Sequence, residues 1–206
     1  AVQDQLKDLE ARSLWALGYY QLYYEGAEKA TATLLQAESL FNTQNNQYWL
    51  AKTYIVLGWA NINNADNDDA QVEAYFEQAL TLTENIQFNY LIPFALRSLS
   101  VYYALRQTSF YKVNSLLERA LMLAQQNQQQ YEMGKIRQSL GRLYADSKQY
   151  DVATTHYLNA LDNFHDIENF HNLQWLYNNL TRIAILQKDY DGAVEFNRLA
   201  ESINDK

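Results

Sequence analysis

Few side chains in these 206 residues are spaced for chemistry. Three histidines occur, His156, His165 and His171, with gaps of 9 and 6 positions. A zinc site asks for ligands one helical turn apart or for cysteine partners, and the chain has no cysteine. The histidines therefore read as surface and junction residues, and no metal or other cofactor is expected. Asp66-Asn67-Asp68-Asp69 gathers oxygens as a calcium loop does, but it lacks the turn glycine and the later bidentate glutamate of an EF-hand. A solvated turn that caps a helix accounts for it. Glu73 and Glu77 are four apart and share one helix face. Acid–base catalysis needs such carboxylates to converge on a substrate, whereas these are expected to face solvent. No glycine-rich phosphate loop and no Gly-x-Ser-x-Gly elbow occurs. The chain reads as a binding protein with no catalytic residue, rather than an enzyme.

The elements that would position a binding surface are helices in a regular array. Leu17-Gly18, Leu57-Gly58, Leu99-Ser100, Leu140-Gly141 and Leu180-Thr181 recur with a period of 40–42 residues. A small residue follows each about 20 positions later: Ala37, Ala79, Ala120, Ala160 and Ala200. A repeat of this length means stacked units that bury their apolar faces against one another. One proline and six glycines leave little to break helices. The spacing predicts first helices near 3–24, 46–63, 88–106, 130–146 and 169–187. It predicts second helices near 27–43, 69–84, 109–127, 150–165 and 190–204. Pro93 fits this scheme only within a first helical turn. Gln128-Gln129-Gln130 reads as a polar junction. No linker divides the chain, so one domain over 1–206 is expected.

These units resemble the tetratricopeptide repeat, in which a small residue follows Leu in the first helix and two alanines sit seven apart in the second. Gly18, Ala30 and Ala37 carry the resemblance in the first unit, and Gly141, Ala153 and Ala160 in the fourth. The fifth has Ala193 and Ala200 but Thr181 in place of Gly. Val72 and Val113 replace Ala in the second and third. The period is longer than the commonest one of about 34 residues and is similar to that of bacterial peptide-sensing regulators and sensor modules. The resemblance implies an all-α fold, a right-handed superhelix of about five helix-turn-helix repeats (an α-solenoid). Its units would cover about 11–44, 51–86, 93–127, 134–167 and 174–206.

The resemblance also implies a concave groove lined by the first helices. Its contact positions fall on Arg12, Trp15 and Tyr19, then Lys52, Ile55 and Trp59, then Phe94, Arg97 and Val101. In the last two units they fall on Lys135, Gln138 and Arg142, and on Trp175, Asn178 and Arg182. The set mixes aromatics with Arg and Lys and holds no carboxylate, in a chain of net charge −8. Arg pairs with carboxylates and Trp gives rigid apolar contact. A protein or peptide ligand is expected, acidic or ending in a free carboxylate. The alternative is that these residues pair with acidic neighbours in their own fold. The Lys/Asn clamp of chaperone-binding members is not reproduced. Most tyrosines, including Tyr54, Tyr103, Tyr144, Tyr157 and Tyr177, are expected in the core.

Composition bounds the rest. With 16 basic and 24 acidic residues, the segment lacks the basic field that nucleic acid requires. No apolar run nears the length of about 18 residues that reads as a membrane span. The absence of cysteine and the start at Ala1 without Met point to an extracytoplasmic location. The chain is expected to be the ligand-sensing input domain of a larger bacterial signalling protein. The alternative is the ligand-binding domain of a cytoplasmic, peptide- or metabolite-responsive transcription regulator. The tail Glu201-Ser202-Ile203-Asn204-Asp205-Lys206 lacks a clear polar cap, so a homodimer through the terminal repeat is a further expectation.

Overall fold

The computed structural model describes residues 2–62 and 69–203. The Asn63–Asp68 part of the acidic turn and the tail Asn204-Asp205-Lys206 lie outside them. Ten helices are present among the described residues: α1 (Val2–Tyr24), α2 (Ala27–Thr43), α3 (Gln47–Asn61), α4 (Asp69–Asn85), α5 (Ile92–Leu105), α6 (Phe110–Gln126), α7 (Gln130–Asp146), α8 (Tyr150–His165), α9 (Phe170–Leu186) and α10 (Tyr190–Ile203). They follow the predicted order closely. The exception is the start of α5, four residues later than the spacing suggested. Pro93 has no N–H and is confined to the first turn, so the helix cannot run back to Phe88. Residues 86–91 instead form a turn in which the Leu91 N–H donates to the Phe88 carbonyl at 2.9 Å.

The helices form two compact units that divide between Tyr102 and Tyr103, inside α5. In the first, α2 packs on α1 and α3, α3 on α4, and α1 also touches α3. In the second, α7 packs on α6 and α8, and α9 on α8 and α10.

Seven of the turns between successive helices share one geometry. Asn45, Gln87, Gln107, Gln128, Lys148, Glu168 and Lys188 all have φ between 51° and 64°. Each closes a helix with paired backbone bonds. The Gln128 N–H donates to the Gln125 carbonyl at 3.1 Å, and the Gln129 N–H to the Ala124 carbonyl at 2.9 Å. That pattern satisfies carbonyls a helix end would otherwise leave unpaired. In three of these turns the residue that follows caps the next helix. Asn46 and Asn169 accept the N–H of Trp49 and Asn172 through their side chains, and Asp189 accepts that of Gly192 at 3.0 Å. Four of the linkers built this way are three residues long.

Within the first, second and fourth pairs, a side chain of the second helix lies on the bare backbone of the first. A Cβ added to Gly58 would stand 2.5 Å from the Phe76 ring, and one added to Gly141 would overlap Tyr157. Around these contacts sit the repeat's small anchors. Ala37, Ala79, Ala120, Ala160 and Ala200 are all buried, as are Val72 and Val113. Leu57, Leu99, Leu140 and Leu180 are buried too, whereas Leu17 is 45% exposed. The tyrosines depart from expectation. Tyr103, Tyr157 and Tyr177 are buried and Tyr54 and Tyr144 are half-buried, but eight of the seventeen are exposed. A phenol can leave its polar end in water, so helical spacing alone does not bury it.

Two outcomes are expected. Gly141→Ala forces Tyr157 off its site and lowers stability by roughly 1–3 kcal/mol in denaturant titration. Gln128→Gly relieves a left-handed backbone and raises stability by roughly 0.5–1 kcal/mol.

Candidate functional site

Arg12, Trp15 and Tyr19 occupy one side of α1 at helical spacing, and Lys52 reaches them from α3. The Lys52 ammonium lies 4.2 Å from the ring centroid of Trp15 and 4.2 Å from that of Trp49. Tyr48 flanks it at 5.6 Å. Trp15 stacks on Tyr19 at 5.4 Å and meets Trp49 edge-on at 5.3 Å. Trp49 is fixed from behind by Phe41, which stacks on it at 5.7 Å. The Arg12 guanidinium stands 5.5 Å from the Trp49 centroid and pairs with Asp8 at 2.6 Å. Lys52 has no hydrogen-bond or ion-pair partner among the described residues. Burial accordingly pushes its ammonium below the ordinary value of 10.5. The structure thus brings Arg12, Trp15, Tyr19 and Lys52 together around a desolvated cation.

The other expected contacts of this unit are engaged within the fold. The Trp59 Nε1–H donates to the Ser98 Oγ at 3.1 Å, and its ring meets Phe76 edge-on. Arg97 is 7% exposed, with its guanidinium 5.1 Å from the Phe94 centroid. Ile55 is buried, and Phe94 and Val101 are half-buried.

In the second unit three of the expected residues, Arg142, Trp175 and Arg182, lie near Tyr157. Its hydroxyl is buried without a hydrogen-bond partner among the described residues. Burial pushes this phenol up to about 12, while the nearby charge of Arg182 pulls down, that of Asp146 pushes up and that of Arg142 pulls down. Trp175 meets the Tyr157 ring edge-on at 5.9 Å. Arg142 pairs with Asp146 at 3.7 Å, both exposed. The Arg182 Nη2 donates to the Asn179 Oδ1 at 3.2 Å. Asn178 is exposed, Gln138 is buried, and the Lys135 ammonium donates to the Asn172 Oδ1 at 3.3 Å. The carboxylate-free set therefore has carboxylates beside it, one turn away on α1 and α7.

Tyr48 and Trp49 were not reached from repeat positions, because they precede the first of those positions in α3. The histidines stay apart. His156 stacks on Tyr144 at 5.3 Å, where burial lowers its pKa, and His165 Nε2 lies 3.3 Å from the Tyr177 hydroxyl. His171 is exposed. A cleft of about 490 Å³ lies elsewhere in the first unit, lined by Asn42, Leu50, Tyr54, Gln78 and Leu82 among others. None of the expected groove residues lines it.

No protein-family model matches the chain, and no curated protein matches its sequence. Solved structures match its fold. Aspartyl phosphate phosphatase F from Bacillus subtilis superposes with a TM-score of 0.80 at 17% identity, over 98% of this chain and 52% of that one. The apo form of RapI gives 0.73 at 12% identity, over 98% of this chain and 70% of that one. A signal transduction ATPase with numerous domains and a tetratricopeptide repeat sensor, from Pyrococcus horikoshii, gives 0.74 at 18% identity, over 95% of this chain and 31% of that one. The chain thus spans about half the length of the first of these. Its fold is the tetratricopeptide-like helical repeat of the α-solenoid class.

The half-buried ammonium sets a pH dependence. The folded pKa of Lys52 lies below the unfolded value of 10.5, so between the two the unfolded chain binds more protons and stability rises with pH. This contribution is complete above 10.5 and is lost as pH falls through the folded value. Lys52→Met removes it. The stability gain of the parent over the variant as pH is raised to just above 10.5, in urea titrations, is the measurement that checks this.

Proposed function

We propose that this chain is a non-catalytic peptide-binding scaffold and the ligand-sensing input domain of a larger bacterial signalling protein. One observation carries the reading: the Lys52 ammonium sits between two indole rings with no carboxylate partner among the described residues. A desolvated cation without a counter-ion is costly. A ligand carboxylate would offset that cost and gain a charge-assisted bond. Arg12 stands beside the same Trp49 ring, and its exposed pairing with Asp8 is weak enough to exchange. Trp15 and Tyr19 offer flat, rigid surface for the apolar side chain next to that carboxylate.

The second unit offers a separate acid-binding set. Arg142 and Arg182 flank Tyr157, with Gln138, Trp175 and Asn178 on the same helices, α7 and α9. Arginine forks suit carboxylates in two-pronged geometry. The ligand we infer is therefore a peptide with acidic side chains or a free C-terminal carboxylate. The Pyrococcus horikoshii protein is described as carrying a tetratricopeptide repeat sensor, which supports the sensing role.

The test is fluorescence anisotropy on a library of short labelled peptides, each made with a free C-terminal carboxylate and as its amide. Lys52→Met is expected to weaken the best carboxylate peptide by on the order of ten- to a hundredfold, the worth of a hydrogen bond to a charged group. Arg142→Glu with Arg182→Glu is expected to abolish binding of acidic peptides while the helical circular dichroism signal holds. Affinities unchanged in both variants overturn the reading.

A further inference from the structure

The cleft of about 490 Å³ is lined by residues of α2, α3 and α4, and α2 and α4 both pack on α3. Small-molecule sites span about 300–1,000 Å³. Leu50 is buried and Tyr54, Ala74 and Leu82 are half-buried, whereas Asn42, Glu77, Gln78 and Thr81 are exposed around them. The hydroxyl protons of the lining are already committed. The Tyr54 hydroxyl donates to the Glu38 Oε1 at 2.9 Å, and the Thr81 hydroxyl to the Glu77 carbonyl at 2.9 Å. Burial first, and then Glu38, push the Tyr54 phenol up to about 12, so it keeps its proton in that bond. Each of these two oxygens has only lone pairs left to offer. Glu77 adds a carboxylate, and no Lys, Arg or His lines the cleft. The side-chain N–H donors of the lining are the amides of Asn42 and Gln78, and Asn42 is hydrogen-bonded to Tyr54.

The surrounding charge has the same sign. Helix α4 carries Asp69, Glu73, Glu77 and Glu84 and no Lys or Arg. The one base of α3, Lys52, stands two positions before Tyr54 and so on the opposite face, between Trp15 and Trp49. Lys29 of α2 pairs with Glu25. The charge of Glu38 reaches both Tyr54 and Tyr75, whose rings stack at 6.0 Å. A calcium ion takes about six to eight oxygens, which one lining carboxylate beside Leu50, Ala74 and Leu82 does not supply.

We propose that this cleft binds a small aliphatic diamine or polyamine as its cation. One ammonium pairs with Glu77. A second donates to the Tyr54 oxygen, where Glu38 behind the hydroxyl supplies the other negative charge. The methylene chain lies on Leu50, Ala74 and Leu82. An ammonium has donors and no acceptor, the complement of this lining, whereas an anion would meet Glu77. A single lysine or arginine side chain from a partner would bring one charge where the cleft offers two. The ligand is opposite in charge to the peptide carboxylate proposed above, and neither site depends on the other.

The test is isothermal titration calorimetry on the 206-residue chain with putrescine and spermidine. Both are expected to bind. Butylamine, with the same carbon chain and one charge, is expected to bind on the order of tenfold more weakly or worse, and uncharged butanediol not at all. Glu77→Gln is expected to weaken putrescine by on the order of tenfold or more, and Tyr54→Phe to weaken it as well. Gln78→Trp, at an exposed position, fills the cleft without changing the charge and is expected to abolish binding. Glu84→Gln makes the same charge change on α4 outside the cleft and is expected to leave the affinity unchanged. No heat with putrescine or spermidine overturns the proposal. So do equal losses in Glu77→Gln and Glu84→Gln, the mark of a general acidic field, and butylamine binding as tightly as putrescine. A lysine-containing peptide that binds where the free amines do not overturns it too.

Discussion

Three helix pairs in this chain approach as closely as they do because one partner lacks a Cβ where the other places a side chain. Phe76 on Gly58 and Tyr157 on Gly141 are the clearest cases. The contact fixes the separation within the pair, and the separation fixes which side chains of the first helix stay outside it. Tyr157 shows the consequence. Its ring seats on Gly141 and its edge holds Trp175, so the buried hydroxyl ends near Arg142 and Arg182 without an acceptor of its own. A packing residue thereby positions the polar groups of the candidate site.

The first unit reaches a comparable result with aromatic rings. Phe41 holds Trp49, Trp49 and Trp15 hold Lys52, and Tyr19 extends the surface. The attraction between an ammonium and an indole face is modest, about 0.5–2 kcal/mol. It offsets part of the desolvation and leaves the charge available. A carboxylate in the fold would have neutralised Lys52, as Asp8 meets Arg12 and Asp146 meets Arg142. On the proposed reading, stability is given up here for recognition, a common trade-off in binding proteins.

Much of the fold was legible in the sequence because close approach is written in residue size. Leu followed by Gly, and alanines seven apart, mark where helices touch, and those positions are buried almost without exception. The exception, Leu17, has the same residue type and spacing as its equivalents. What differs is its neighbour, which a repeat pattern does not describe. The left-handed turns were hidden as well, since Gln, Lys, Asn and Glu occupy a conformation usually signalled by Gly. In the site, repeat positions led to Lys52 and Trp15 but passed over Trp49, one turn earlier on α3. They also gave Trp59 and Arg97 as contacts, although Ser98 and Phe94 engage them. The pairings of Arg12 and Arg142 stood in plain view, because Asp8 and Asp146 are each four positions away.

The four tryptophans are Trp15, Trp49, Trp59 and Trp175, and the first two form the walls around the Lys52 ammonium. Indole emission responds in colour and intensity to a cation held against the ring and to the water around it. Anything that draws the ammonium away or shields it changes the light these two rings return. The proposed recognition element is therefore its own optical reporter, by which binding at Lys52 would be followed in the untagged chain.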